Sequence, residues 1–237
     1  MIYKKFAGLY DLLMYDFPYE KAGDFIFQIL GEGKIEVLDM ACGTGTFTKI
    51  LGEKYVMTGF DLSEEMLALA QNKNPRNRFF KQDLKNFKAP GAYDAAICMC
   101  DSINYLLKEE EVKSSFKSVY RCLKKGGCFI FDANTKEKFQ KMENTYVDER
   151  ENSFYIWENY YDKEKTINSY VVNFFVEKDD GLYERFTEEH FERAYEGYFF
   201  IKTLEESGFE DIKIYKAYEF SENLEGADRL LFVAKKL

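Results

Sequence analysis

The chain has 237 residues, 46% hydrophobic and 32% charged, with only 3 Pro and 15 Gly. This suffices for a packed core and excludes a disordered or collagen-like chain. The net charge is −9, concentrated after residue 136 (19 basic and 18 acidic side chains before that point, 14 and 24 beyond it), and it argues against a nucleic-acid partner, because neutralising phosphates takes a basic surface.

Residues 9–30 read as helical with a break at Pro18, and Phe25, Ile26, Ile29 and Leu30 form one apolar face after it. Ile35 to Met40 reads as a strand, followed by the turn Ala41-Cys42-Gly43-Thr44-Gly45 and a helix near 45–52. Val56 to Asp61 is a second strand. Ser63 caps the next helix, with Glu64 and Glu65 placed to suit its dipole. Arg78 to Leu84 and Tyr93 to Cys100 are the third and fourth strands, and a helix spans 109–122. Lys124-Lys125-Gly126-Gly127 turns into a fifth strand, Cys128 to Asp132. Such alternation predicts a parallel sheet covered by helices on both faces.

Between Tyr146 and Phe200 there are 16 aromatics in 55 residues. Segments 154–161, 167–177 and 182–190 read as antiparallel strands, with Asp179-Asp180-Gly181 as a hairpin turn. A helix at 199–207 and strands at 212–219 and 229–234 close the chain. The expected division is a core over 1–136 with an N-terminal helical cover, a β insertion over 137–197 acting as a substrate lid, and 198–237 completing the core sheet.

Five cysteines (Cys42, Cys98, Cys100, Cys122, Cys128), no CxxC and a single His argue against disulfides and zinc; they read as buried free thiols. The start, Met1 to Phe6 followed by Asp11 and Asp16, lacks a signal-type apolar run, and no stretch approaches the ~18 apolar residues of a membrane span. A soluble cytoplasmic protein with no membrane partner, monomeric or homodimeric, is expected.

The glycine-rich turn carries the chemistry. Gly43 and Gly45 let a ligand approach the backbone, but the third glycine of a dinucleotide loop is missing, since Thr48 stands there. Asp39 before the loop would repel a pyrophosphate and suits a cationic ligand, such as an amino-acid ammonium beside a sulfonium. Asp61, about 20 residues after the first glycine, stands where an acid accepts ribose hydroxyls. Asp83 stands where an adenine amino group would lie, and Met99-Cys100-Asp101 lines the same crevice. Polar groups at four consecutive strand ends point to one adenosine ligand.

These residues resemble the class I S-adenosylmethionine-dependent methyltransferases. Val37 to Gly45 is similar to the family's first motif, with Ala41 where many members carry Gly. Gly59 to Leu67 is similar to the second, Gln82-Asp83-Leu84 and Tyr93 to Ile97 to the third and fourth, and Leu123 to Gly127 to the turn before the fifth strand. The resemblance implies a doubly wound seven-stranded sheet of order 3-2-1-4-5-7-6 and the cofactor S-adenosylmethionine, which leaves as S-adenosylhomocysteine. Its implied cofactor contacts are Tyr10, Asp39, Ala41, Gly43, Gly45, Asp61, Leu62, Met66, Gln82, Asp83, Leu84, Met99 and Cys100. A narrower resemblance, to small bacterial methyltransferases, rests on Phe6-Ala7-Gly8-Leu9-Tyr10-Asp11-Leu12-Leu13, Asp101-Ser102-Ile103-Asn104-Tyr105 and Glu188 to Tyr195.

His190 is the sole histidine and the candidate general base; its alternative is a hydrogen-bonded structural residue at a strand end. Tyr10 is a second candidate at the reaction centre, and both Tyr10 and Tyr15 could instead be helix-face packing. Asn104 and Tyr105 stand on the acceptor side; without the prolines of an Asp/Asn-Pro-Pro-Tyr/Phe segment, planar-amide or nucleobase methylation is disfavoured. Arg193 either binds an acidic group on the substrate or, the favoured reading, pairs with Glu189 or Glu192. The expected activity is methyl transfer to a small-molecule amine or oxygen nucleophile, amino-sugar-like in kind. The alternatives are a cofactor-binding regulatory protein without turnover, and an RNA or protein methyltransferase.

Overall fold

The computed structural model describes residues 3–142 and 145–237. Met1 and Ile2 of the N-terminal segment, and Glu143 and Asn144 within the insertion, lie outside the described residues. The chain opens with helices α1 (Tyr3–Leu13) and α2 (Tyr19–Leu30), then alternates β1 (Glu36–Met40), α3 (Thr46–Leu51), β2 (Val56–Asp61), α4 (Glu64–Lys73), β3 (Arg78–Lys81), β4 (Tyr93–Cys98), α5 (Glu109–Cys122) and β5 (Leu123–Asn134). There follow α6 (Lys136–Lys141), β6 (Thr145–Arg150), β7 (Ser153–Asp162), β8 (Ile167–Glu177), β9 (Tyr183–Arg193), α7 (Gly197–Glu206), β10 (Glu210–Lys216) and β11 (Arg229–Lys235).

Seven strands form one sheet, ordered β10-β11-β5-β4-β1-β2-β3. With β10 and β11 as its sixth and seventh strands, this is the expected 3-2-1-4-5-7-6. Strands β1 to β5 run parallel, and the two last strands run antiparallel to their neighbours. Leu38, Met40, Phe60, Phe129 and Phe131 pack on one face, and Val37, Met57, Ile97 and Ile130 on the other. Both faces are dry, which is why these strands read as apolar runs rather than as alternating ones.

Several boundaries differ from expectation. β4 stops at Cys98, because Cys100 and Asp101 are left-handed (φ 56° and 52°) and cannot continue an extended ladder. β3 stops at Lys81 rather than Leu84. β5 begins at Leu123: its register against β4 jumps from the Tyr93–Leu123 pair to the Ala95–Cys128 pair, so Lys124 to Gly127 form a bulge inside the strand. A Cβ at Gly127 would meet the Lys124 carbonyl at 2.8 Å, so glycine is required there. Helix α6 and strand β6 were not anticipated; β6 is an edge strand whose second half, Asp148-Glu149-Arg150, is charged, and it is defined by pairing with β7.

The insertion forms a separate four-stranded antiparallel sheet, β6-β7-β8-β9. Tyr155, Tyr170, Val172 and Phe174 are buried on its inner face. Phe6 and Ala7 of α1 and Met66 of α4 pack with Tyr155, Val172 and Phe174, so α1 is wedged between the core and the second sheet. Cross-strand aromatic pairs, among them Phe174–Phe186 with ring centroids 4.9 Å apart, account for much of the aromatic density.

Candidate active site

The turn after β1 is built from left-handed residues: Ala41 (φ 51°), Gly43 (53°) and Gly45 (75°). Only Ala41 carries a side chain in that conformation, the position where glycine is common in the family resembled. The two glycines do different work. A Cβ on Gly45 would lie 2.7 Å from Asn74 Nδ2 and 3.0 Å from Ala70 Cβ, so this glycine lets α4 pack against the loop. A Cβ on Gly43 would meet only Tyr10, at 3.8 Å, so its backbone faces a cleft. Tyr10, Asp39, Ala41, Gly43, Met99 and Cys100 line that cleft together. Tyr19, Cys42, Thr44, Thr46 and Phe47 join them and were not anticipated.

The acids at the strand ends are held by the backbone. Asp61 accepts the Gly43 amide at 2.9 Å through one oxygen and the Ser63 amide at 2.9 Å through the other, which ties the loop to the end of β2 and to the cap of α4. Burial raises its carboxyl despite these donors. Asp39 is buried and accepts the Thr48 hydroxyl at 2.5 Å; burial pushes its carboxyl up to about 7. Gly45, Asp61, Leu62, Met66, Gln82, Asp83 and Leu84 lie along the same sheet edge but outside the cleft lining. Leu62 is exposed, Met66 is buried against α1, the Gln82 amide donates to the Asp61 carbonyl at 3.1 Å, and Asp83 caps its own turn by accepting the Lys85 amide at 2.9 Å.

Helix α1 is latched over the loop. Asp11 accepts the Thr44 hydroxyl at 2.6 Å and pairs with Lys73 at 2.9 Å. The latch sets Tyr10 beside Gly43, and burial raises the Tyr10 phenol well above its usual range. Phe6, one turn earlier, has its ring centroid 5.9 Å from that of Tyr10 and 5.1 Å from that of His190. Tyr15 lies beyond α1, exposed beneath the Arg150 guanidinium, 3.8 Å from its ring centroid.

His190 lies inside β9, three residues before its end, not at a strand end. Its Nδ1 is 3.4 Å from the Tyr105 hydroxyl, its Nε2 is buried without a partner, and burial lowers its pKa. Asn104 is fully buried, and its amide is spent within the protein: it donates to the carbonyls of Asn134 and Arg193 (3.0 and 2.9 Å) and accepts the Asn134 amide at 2.9 Å. It braces β5 against β9 instead of facing an acceptor. Arg193 makes neither of the expected ion pairs; it donates to the Leu107 carbonyl at 3.1 Å and lies 4.8 Å from the Tyr195 ring centroid. Strand geometry explains this. Glu192 and Arg193 point to opposite faces, and Glu189 is about 13 Å away along the strand.

A second network lies beneath the loop after β4, and of its members Asp132, Asn134, Tyr170, Tyr218 and Arg229 carry no local signal. Asp132 accepts the backbone amides of Cys100 and Asp101 (3.3 and 2.6 Å) and the Tyr218 hydroxyl. Arg229 of β11 bridges Asp101 at 2.7 Å and Asp132 at 3.1 Å. These bonds hold the left-handed Cys100–Asp101 pair. Buried Glu192 turns inward and accepts from Asn134 and Tyr170 (3.1 and 3.3 Å).

A doubly wound sheet whose first loop and second-strand acid meet in this way defines a class I S-adenosylmethionine-dependent methyltransferase. Residues 37–127 match a family model described as a methyltransferase domain. The YqeM protein of Bacillus subtilis (strain 168) is 35% identical over 100% of this chain and 98% of its own length. The crystal structure of an S-adenosylmethionine-dependent methyltransferase from Clostridium acetobutylicum ATCC 824 superposes with a TM-score of 0.87 at 33% identity, over 99% of each chain. A dTDP-3-amino-3,4,6-trideoxy-alpha-D-glucopyranose N,N-dimethyltransferase of Streptomyces venezuelae is 33% identical over 100 residues, 40% of this chain and 41% of its own. The chain belongs to this methyltransferase family and is an S-adenosylmethionine-dependent enzyme. Its cleft fits the cofactor's chemistry: open backbone at Gly43 and a buried acid at Asp39. No helix among the described residues is long and apolar enough to cross a membrane.

Proposed function

We propose that the protein methylates a small-molecule acceptor, an amine or oxygen nucleophile of amino-sugar-like kind, in the cytoplasm. It does so as a monomer or homodimer, with no nucleic-acid or membrane partner. The observation that carries this reading is the position of Phe6, in ring contact with both Tyr10 over the cleft and His190 of the lid. One side chain thus stands between the cofactor loop and the candidate base, with helix α1 on one side and the aromatic second sheet on the other. An acceptor bound between α1 and this sheet would have to be small, and it would be screened from water. The Streptomyces venezuelae relative, an amino-sugar dimethyltransferase by name, supports the acceptor class.

In this reading Asp39, Ala41, Gly43, Met99, Cys100 and Tyr10 hold the methionine end. Asp61, Leu62, Met66, Gln82, Asp83 and Leu84 serve the adenosine end, and Gly45 keeps the loop and α4 close. When bound, S-adenosylmethionine supplies an electrophilic methyl, and the sulfur keeps the electron pair of the broken S–C bond. Tyr105 and His190 face the acceptor. His190 is neutral near pH 7, because burial lowers its pKa, and its Nε2 takes the proton displaced from the attacking atom. Asn104 and Arg193 act one step back, as positioning residues.

The test is methyl transfer to a panel of amino sugars, small amines, alcohols, RNA and protein, followed by mass spectrometry. Product on a small molecule is expected; product confined to RNA or protein would overturn the proposal.

A further inference from the structure

Among the described residues, four buried polar atoms on the inner face of the second sheet have no hydrogen-bond partner: Asn168 Nδ2 and Oδ1 on β8 and, nearer to α1, Glu188 Oε1 and His190 Nε2. Glu188 and His190 are two apart on β9, so both side chains point to the same face, about 7 Å apart. Glu188 lies opposite Val172 and His190 opposite Tyr170. Val172 packs with Phe6 and Met66, so this strip adjoins the helix that covers the cofactor cleft.

Glu188 is only 5% exposed. Burial alone pushes its carboxyl up; no neighbouring cation offsets it. Arg193, the nearest arginine in sequence on its C-terminal side, is turned to the Leu107 carbonyl. A buried carboxyl without a partner is costly, and it persists where a ligand completes it.

We propose that Glu188 is the specificity-determining residue of the acceptor site, and that it selects a cationic amine by pairing with the ammonium while His190 Nε2 takes its proton. This rests on the small-molecule reading above and narrows its acceptor to amines. An ammonium supplies the missing positive charge and donates to Glu188 Oε1 and His190 Nε2. A neutral hydroxyl leaves the carboxylate uncompensated. The rings around His190, Phe6 at 5.1 Å and Tyr105 at 5.9 Å, add aromatic surface that favours a cation.

The single histidine makes its own reporter. In enzyme loaded with S-adenosylhomocysteine, the His190 Cε1 proton is followed by NMR while three amines and their hydroxyl counterparts are added: glucosamine and glucose, ethanolamine and ethylene glycol, glycine and glycolate. At least one amine should shift the resonance saturably and bind about tenfold or more tighter than its counterpart. Glu188→Gln should weaken that binding by about tenfold or more while S-adenosylhomocysteine affinity is unchanged. Glu188→Leu should raise the Tm, because it removes an unsatisfied buried group. The inference is overturned by equal binding of amine and hydroxyl partners, by no response to any amine, by full binding in Glu188→Gln, or by a lowered Tm in Glu188→Leu. Selective methylation of alcohols would sink it and leave the small-molecule reading intact. Methylation of RNA or protein alone would sink both.

Discussion

Thr44, in the glycine-rich loop, donates its hydroxyl to Asp11 of α1 at 2.6 Å, and this contact joins the loop to the helix that covers it. Lys73 reaches the same carboxylate from α4. The Lys73–Asp11 pair is half exposed and contributes little by itself; the charge-assisted hydroxyl bond contributes more. Asp11→Ala should therefore weaken S-adenosylmethionine binding by about fivefold, through looser seating of Tyr10, with little loss of global stability. Calorimetric titration of the variant checks this, and wild-type affinity would show that the latch is dispensable.

Asp61 holds two backbone amides, and its removal would leave both without their acceptor. Asp61→Ala should cost about 2 kcal/mol in stability and more than about tenfold in cofactor affinity. Denaturant unfolding and calorimetry report the two effects separately. Unchanged cofactor affinity would remove Asp61 from the binding site.

Arg229 neutralises two buried carboxylates at once. Arg229→Leu should destabilise the fold by about 3–5 kcal/mol, because buried Asp101 and Asp132 would lose the guanidinium they share. Burial pushes the Asp101 carboxyl up, but Arg229 and Lys138 outweigh it and hold it below its usual value. The stability due to that pairing is present above the unfolded carboxyl pKa near 4 and is lost as the pH falls through the lower folded value. Urea midpoints between pH 3 and 6 should show this acid loss in the wild type and a shallower one in the variant.

The lone histidine gives a direct pH test. Burial lowers the pKa of His190, so its folded value lies below the ordinary one near 6.5. The unfolded chain takes up that proton first as the pH falls, so stability from the neutral imidazole is lost below about pH 6.5. The His190 resonance should titrate below 6.5, and kcat/KM should rise through the same pKa. His190→Ala should keep cofactor affinity and lose about a hundredfold in turnover. Full activity would return His190 to a structural role.

Ala41 carries a side chain at φ 51°, a conformation that glycine adopts at no steric cost. Ala41→Gly relieves that strain and loses part of the gain to the more flexible unfolded chain. The net expectation is a rise in Tm of about 2 °C with unchanged cofactor binding. A lower Tm would mean that the loop bears no strain at this residue.

The alternation of apolar runs and helix caps from Ile35 to Asp132 determined the doubly wound sheet, because strands buried on both faces must be apolar throughout and their helices must start with caps such as Ser63. The turn from Asp39 to Gly45 was legible because a tight turn at a strand end demands glycine, whereas the use of Asp61 to hold the Gly43 and Ser63 amides was not. Strand β6 and the bulge at Lys124 to Gly127 were not legible, since each is defined by its partner strand.

The site's inner arrangement was likewise decided in three dimensions. Asp11 meets Thr44 across 33 positions, Asn104 meets Arg193 across 89, and Asp132 meets Tyr218 across 86. No local pattern encodes such pairings. Strand alternation, once the register of β9 was set, sent Arg193 outward and Glu188, His190 and Glu192 inward. Sequence alone determined the seven-stranded sheet and the glycine-rich loop after its first strand. Tertiary packing decided which polar side chains brace the fold and which are left without a partner, because burial and partnership belong to neighbours brought together only when the chain folds.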